Sequence, residues 1–303
     1  MTVKKLSVLF TGILLTTACS QKSASTFNTD SGNSAIVGGT AVMDSDSISK
    51  STALLLDVKT GQKDNHTVIT GLSICTVTVL SNNIVLTAGH CSAANPKELF
   101  LVFSTQIPEW KTFFQTIKTN PLVRRISAGV TAPQWKDLND QTQNNWGDVS
   151  LLRFDGGLPD GFKPAVLAPK DLGLSAQEDV TLAGFGETNG VTQEQAKQLM
   201  KVTVKIADPN FSNTEMKIDN TNGDGACHGD SGGPAYVQTK DGVSVLAGVT
   251  SRADEATDPE GKCIGKTIYT KIQPYLTWIS TESDKLSNDP NYGTVIAEPA
   301  ESN

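Results

Sequence analysis

Three side chains in this sequence could together break an acyl bond. His90 lies in VLTAGHC, directly before Cys91. Asp148 opens the apolar run DVSLLRF, and Ser231 sits in the glycine-dense stretch CHGDSGGP. A serine hydroxyl is a poor nucleophile at neutral pH, so a base must take its proton as it attacks a carbonyl. An imidazole can do this, and a carboxylate on its other ring nitrogen fixes the tautomer and stabilises the imidazolium. Taken singly, each residue is a weak signal. A His beside a Cys is more often structural, a GDSG run is often a turn, and an Asp before a strand is often a cap. Their joint occurrence in the order His, Asp, Ser lifts all three as candidates, with Ser231 as nucleophile, His90 as base and then acid, and Asp148 as its orienting partner in the family resemblance given below. The other histidines, His66 and His228, read as an exposed turn residue and a solvated rim residue.

Such groups must be held by a rigid frame. From residue 36 onward, short apolar runs alternate with turn residues: TALLLDV, SICTVTVL, NIVLTAG, LFLVF, DVSLLRF, DVTLAGFG, AYVQT, VSVLAGV and TIYTKI. MKVTVKI alternates cleanly, with Val202, Val204 and Ile206 on one face and Lys201, Thr203 and Lys205 on the other. This spacing predicts an all-β sandwich or barrel. In QPYLTWIS, Pro274 suits a first turn, and Tyr275, Trp278 and Ile279 share one helical face.

These stretches resemble the chymotrypsin/trypsin family of serine proteases. LTAGHC resembles its histidine motif, DVSLLRF its aspartate motif and CHGDSGGP its serine motif. IVGG at 36–39 resembles the mature N-terminus, LAGFGET the opening of the second barrel, and YLTWIS the C-terminal helix. The resemblance runs from residue 36 to 280. It implies an all-β fold of two antiparallel six-stranded β-barrels packed together, with a C-terminal helix and the active site between the barrels. It assigns the oxyanion donors to the backbone N–H groups of Gly229 and Ser231, and Ser251 to the support of Asp148. It pairs Cys75 with Cys91 and Cys227 with Cys263, pairings that spacing alone leaves open among three. One bridge common in the family is missing, because NTEMKIDN (213–220) has no cysteine. That region is expected to be shorter and looser.

The composition fits this frame. The 303 residues are 38% hydrophobic and 19% charged, with 26 glycines and a formal net charge of −7. That balance suits a turn-rich globular protein and disfavours a nucleic-acid binder, which needs a basic face. No cysteine spacing suggests zinc, no loop offers a clear calcium cluster, and no cofactor is expected. The front reads as a targeting segment: Lys4 and Lys5, then an apolar run over 6–15 too short to span a membrane, then TTAC. Two outcomes fit it. Cys19 becomes a lipidated N-terminus of the bacterial type, or cleavage after Ala18 leaves a free thiol. Five cysteines in an exported chain favour the lipid, since two disulfides leave Cys19 over. The reading is a signal segment (1–18), a lipid tether and activation peptide (19–35), a protease domain (36–283, barrel boundary near 155–175) and an acidic flexible tail (284–303).

In the family, cleavage before Ile-Val creates an ammonium group that pairs with the Asp preceding the catalytic Ser. Here these are Ile36 and Asp230, so Ala35–Ile36 is the expected activation bond. In the uncut chain the 229–231 turn is expected to be poorly organised. Cleavage, by another protease or by the chain itself, would separate the domain from the Cys19 lipid. The expected location is the cell envelope (outer membrane or periplasm), then the extracellular space. For specificity, Gly225 and Ala226 take the pocket-floor positions, with Ala253 and Thr267 on its walls and Ser251 on the substrate strand. This uncharged pocket implies cleavage of protein or peptide substrates after small or medium apolar residues. The alternative puts Asp224 at the floor and gives a Lys/Arg preference. A further alternative is a non-catalytic adhesion protein on the same fold.

Overall fold

A computed structural model describes residues 36–63, 66–92, 98–135 and 144–293. The signal segment, Cys19, the tether with Ala35 and the last ten positions lie outside the described residues. Strand β1 (Thr40–Ala41) is followed by a helical turn α1 (Ile48–Ser51). The first barrel contains β2 (Thr52–Lys63), β3 (His66–Val79), β4 (Ile84–Thr87), β5 (Leu99–Val102), β6 (Val123–Thr131) and β7 (Ser150–Phe154). They close antiparallel in the order β2-β3-β4-β7-β6-β5. A short helix α2 (Trp110–Thr116) joins β5 to β6, its first turn capped by the Glu109 carboxylate.

The second barrel follows with β8 (Asp179–Gly184), a small hairpin of β9 (Glu187–Asn189) and β10 (Glu194–Gln195), then β11 (Met200–Asp208) and β12 (Glu215–Asp219). It is completed by β13 (Pro234–Gln238), β14 (Ser244–Ala253) and β15 (Lys266–Lys271). The order β11-β12-β15-β14-β13-β8 closes on itself through β11–β8, and β1 adds to β11. The fold is thus the expected pair of six-stranded barrels. Closure pairs both edges of the strands around each barrel, while the β2–β3 hairpin runs on beyond it. β11 turns Val202, Val204 and Ile206 toward the second core, as its alternation predicts.

Two expectations are corrected. The 213–220 region is not loose: β12 pairs with both β11 and β15, and Asn220 is buried at its end. Side-chain contacts tie it further: Glu215 pairs with Arg252, and Asn220 donates to Thr267 and to the Ala226 carbonyl. Nor does the packed chain stop at 283. A 3-10 turn (Gln273–Tyr275) leads into α3 (Leu276–Asn288), which packs on the first barrel. Arg153 of β7 donates to the carbonyls of Leu286 (2.8 Å), Asp289 (2.9 Å) and Pro290 (3.0 Å), satisfying groups a helix end leaves open. Gly293 accepts a backbone bond from Gly129 at 2.9 Å. Residues 284–293 therefore belong to the folded body; any free tail begins at 294, outside the described residues.

Leu286 anchors this segment at 0% exposure. Leu286→Ala should cost about 2–5 kcal/mol, as a buried Leu truncation typically does. Urea unfolding of the variant measures it, and no change would show that this turn carries no packing energy.

Candidate active site

The barrels bring the three predicted residues to one cleft. β4 and β7 are antiparallel neighbours with Thr87 opposite Ser150, so the chain leaving Thr87 and the chain entering Ser150 share one barrel end. His90 and Asp148 are on those two connections. His90 begins a 3-10 turn (His90–Ser92) tied to β3 by the Cys75–Cys91 disulfide. The second expected disulfide, Cys227–Cys263, is also formed.

Asp148 is fully buried. Its Oδ2 accepts from His90 Nδ1 at 2.9 Å and from the Ser251 hydroxyl at 2.6 Å, and its Oδ1 accepts from the His90 backbone N–H at 3.0 Å. Burial alone would raise this carboxyl, but the charge and hydrogen bond of His90, with Ser251, hold it below the usual range. For His90, burial opposes the imidazolium, yet Asp148's charge and hydrogen bond prevail and raise its pKa above 6.5. Trp135 stands beside the ring, at 6.5 Å between centroids. Ser231 and His90 line a common cleft of about 460 Å³. No hydrogen bond joins them among the described residues, an arrangement common before substrate binds.

The Ser231 turn is pinned by the first barrel. Thr76 N–H donates to the Ser231 carbonyl (2.8 Å), and the Thr76 hydroxyl donates to the Gly229 carbonyl (3.1 Å). Gly232 has φ +79°, and a Cβ there would lie 2.0 Å from the Thr87 hydroxyl and 2.4 Å from the Thr76 carbonyl, so only glycine fits. Within the turn, the N–H groups of Asp230, Gly232 and Gly233 are all bonded to backbone carbonyls. Those of Gly229 and Ser231 have no acceptor among the described residues. The His228 carbonyl accepts from Glu187 N–H at 2.7 Å. Because a trans peptide points C=O and N–H in opposite directions, the Gly229 N–H faces away from Glu187. The two amides assigned to an oxyanion are thus open.

The same turn is centred on Asp230. Its fully buried carboxylate is held by the N–H groups of Gly186 (2.8 Å) and Cys227 (2.9 Å). Those two bonds do not replace hydration: burial, with Glu187 nearby, pushes the carboxyl up to about 7. No basic side chain is paired with it among the described residues. Ile36 is itself buried in the second core at φ +58°, and Val37 exchanges two 2.9 Å backbone bonds with Gly225.

Beside the cleft lies a cavity of about 250 Å³, lined in part by Ala226, Ser251, Ala253 and Thr267. Gly225 does not line it, which corrects its assignment to the floor. Asn220 stands there, with Nδ2 donating to Thr267 Oγ1 (2.6 Å) and the Ala226 carbonyl (3.3 Å). A Cβ on Gly225 would come within 2.2 Å of Asn220, so the glycine makes room for that side chain. Asp224 is exposed and lies against Gly38, outside the cavity lining. The sequence also gave no sign of Asp258, which lines the cavity and accepts from the Lys262 and Cys263 N–H groups (2.9 and 2.7 Å). His228 is exposed at the rim, as expected. Arg252 forms a 2.8 Å ion pair with buried Glu215 and stacks 3.8 Å from the Trp146 ring centre. Two His/Cys groupings have ligand-like spacing, Cys75/His90/Cys91 and Cys227/His228/Cys263. Their sulfurs are in disulfides and offer no thiolate to a metal.

The His90 shift makes a signed prediction. Its imidazolium stabilises the fold fully below the unfolded value, and that contribution is lost as pH rises through the raised folded value. NMR titration should place His90 above 6.5, its ordinary value. Asp148→Asn removes both raising causes and leaves burial, so the value should fall below 6.5. A titration unchanged by this substitution would refute the assignment of cause.

Comparison with known proteins agrees with this geometry. A family profile described as Trypsin matches residues 58–279. The chain is similar to mouse transmembrane protease serine 11C, at 25% identity over 69% of this chain and 48% of the relative. It is similar to the spaetzle-processing enzyme of Drosophila melanogaster (27%; 68% of this chain, 57% of the relative) and to mouse kallikrein-8 (27%; 70% and 77%). The chain spans about half the length of the first two. A profile match over most of the chain, on two closed antiparallel barrels with His90, Asp148 and Ser231 gathered at one cleft, shows that the chain belongs to the trypsin family.

Proposed function

We propose that the chain is a serine endopeptidase. The observation that carries this is the Ser251–Asp148–His90 hydrogen-bond chain ending in the cleft that Ser231 shares, beside two open amides at Gly229 and Ser231. Ser231 Oγ attacks the peptide carbonyl while His90 Nε2 takes its proton. The tetrahedral oxyanion accepts from the Gly229 and Ser231 N–H groups, which need no reorganisation at that moment. His90 then protonates the leaving amine, and a water enters by the same route in reverse to release the acid. Asp148 stays ionised throughout and keeps Nδ1 protonated. Ala226, Ala253 and Thr267 bring uncharged side chains to the cavity, and the Asp258 carboxylate in its lining is buried with both oxygens bonded to backbone N–H groups, which supports cleavage after small or medium apolar residues.

Activation follows from the unpaired charge. A new ammonium at Ile36 would give Asp230 the counter-charge that its buried site lacks, and pairing offsets the cost of burying an ion. We infer an inactive lipoprotein precursor, cut between Ala35 and Ile36. The Cys19 lipid would stay with the discarded peptide, so one cut would both activate the domain and free it from the membrane.

The test joins N-terminal sequencing to labelling by a fluorophosphonate. Ser231 should label only in chains beginning at Ile36; equal labelling of uncut chains defeats the precursor account, and no labelling of either defeats the protease reading. In processed enzyme, kcat/KM should rise with pH to an inflection above 6.5, since the base must be neutral. Asp148→Asn should lower kcat by about 10,000-fold, the loss known for the equivalent change in this family. Ala35→Arg should block self-processing at that bond; a variant that still cuts itself there rules out the small-residue pocket.

A further inference from the structure

Glu215 is a carboxylate that the proposed reaction does not touch. It opens β12 at 0% exposure, out of reach of any substrate. Four donors surround it. Oε1 accepts from Arg252 Nη1 at 2.8 Å and from the Trp146 N–H at 3.3 Å. Oε2 accepts from the Asn145 N–H at 2.9 Å and from the Ser212 hydroxyl at 3.3 Å. A buried ion needs such partners, because the interior offers it no hydration. These partners lead to Asp148 by two separate routes.

The first route is the backbone. Asn145 and Trp146 lie just before Gly147 and Asp148 in the chain. Asn145 has φ +63°, a left-handed conformation that a residue with a Cβ keeps only when its surroundings hold it. Glu215 holds its N–H. The neighbouring Thr214 donates both its N–H (3.0 Å) and its hydroxyl (2.9 Å) to Asn145 Oδ1. The start of β12 therefore clamps the turn that delivers Asp148.

The second route is Arg252. Its side chain is 9% exposed and lies over the Trp146 ring. Nη1, held by Glu215, also donates to Ser251 Oγ in a long contact of 3.4 Å. A hydroxyl oxygen that accepts on one side turns its own proton to another. Here that proton goes to Asp148 Oδ2 at 2.6 Å, and the same oxygen holds His90 Nδ1 at 2.9 Å. Glu215, Arg252, Ser251, Asp148 and His90 thus form one unbroken series, from a buried carboxylate to the catalytic base.

We infer that Glu215 is a positioning residue of the protease: through Arg252 and the 145–147 turn it fixes where Asp148 holds the imidazole. The inference rests on the protease reading above and places a second buried carboxylate behind the triad.

The test uses the full chain processed before Ile36, a peptide substrate and NMR titration of His90. Glu215→Gln keeps the shape and removes the charge. Its kcat should fall about 10- to 100-fold, the scale of a small displacement of a catalytic group. KM should stay within about 2-fold, because Glu215 lines neither the cleft nor the cavity beside it. His90 should titrate lower than in wild type, since a guanidinium left without its counter-charge disfavours the imidazolium. A merely structural carboxylate would lower the melting temperature and leave kcat and the titration of the folded enzyme unchanged. The double variant Glu215→Gln with Arg252→Met separates the two roles, and it decides the matter where the single variant does not fold. It leaves neither charge uncompensated, so its melting temperature should return toward wild type while kcat stays at least about 10-fold down. An unmoved kcat or His90 titration in Glu215→Gln overturns the inference. So does a double variant that regains wild-type kcat together with its stability. Wild type that hydrolyses no peptide would instead bring down the protease reading, and this inference with it.

Discussion

One buried carboxylate holds the molecule together as a machine. Asp148 comes from the first barrel, yet it accepts the Ser251 hydroxyl from β14, and its backbone carbonyl accepts the Thr270 hydroxyl from β15 at 3.1 Å. A buried ion costs too much to leave uncompensated, so these donors cannot drift away without a penalty. The packing of the barrels and the orientation of His90 are therefore one constraint. The same charge that joins β7 to the second barrel raises the basicity of the imidazole.

The serine turn repeats this logic from the other side. Ser231 lies on the second barrel, but Thr76 on β3 and Thr87 on β4 set its position, Thr87 by donating to the Thr76 carbonyl at 3.0 Å. Gly232 passes so close to both threonines that no side chain fits. Ser231 is held by strands of the opposite barrel, and His90 by Asp148, which the second barrel fixes in turn through Ser251 and Thr270. Neither barrel alone would bring the two side chains to one cleft.

The second barrel also shows how polar contacts substitute for a covalent tie. Where a bridging cysteine was expected in 213–220, Glu215 pairs with Arg252 and accepts from Asn145 and Trp146 N–H groups at 2.9 and 3.3 Å. This couples the segment leading to Asp148 with the strand beside the cavity of Ala226 and Thr267. At the other end of β12, Asn220 ties Ala226 to Thr267. Removing either partner of such a buried pair would leave the other charge uncompensated, at a cost of about 3–5 kcal/mol.

The sequence determined much by local pattern. Alternating strands, glycine-rich turns and the ordered His90, Asp148 and Ser231 motifs were legible because strand periodicity and turn chemistry act over a few residues. Both disulfide pairings came through family resemblance, and spacing alone would have left them open. What the sequence could not reveal were partnerships across the fold. Asn220 replaces Gly225 in the cavity, Arg252 finds Glu215, and α3 runs on to Asn288 under the grip of Arg153. Each joins residues distant in the chain, so no local periodicity encodes it. Only the closing of two barrels against each other brings these groups within hydrogen-bonding or packing distance, and that closure decided the shape of the site.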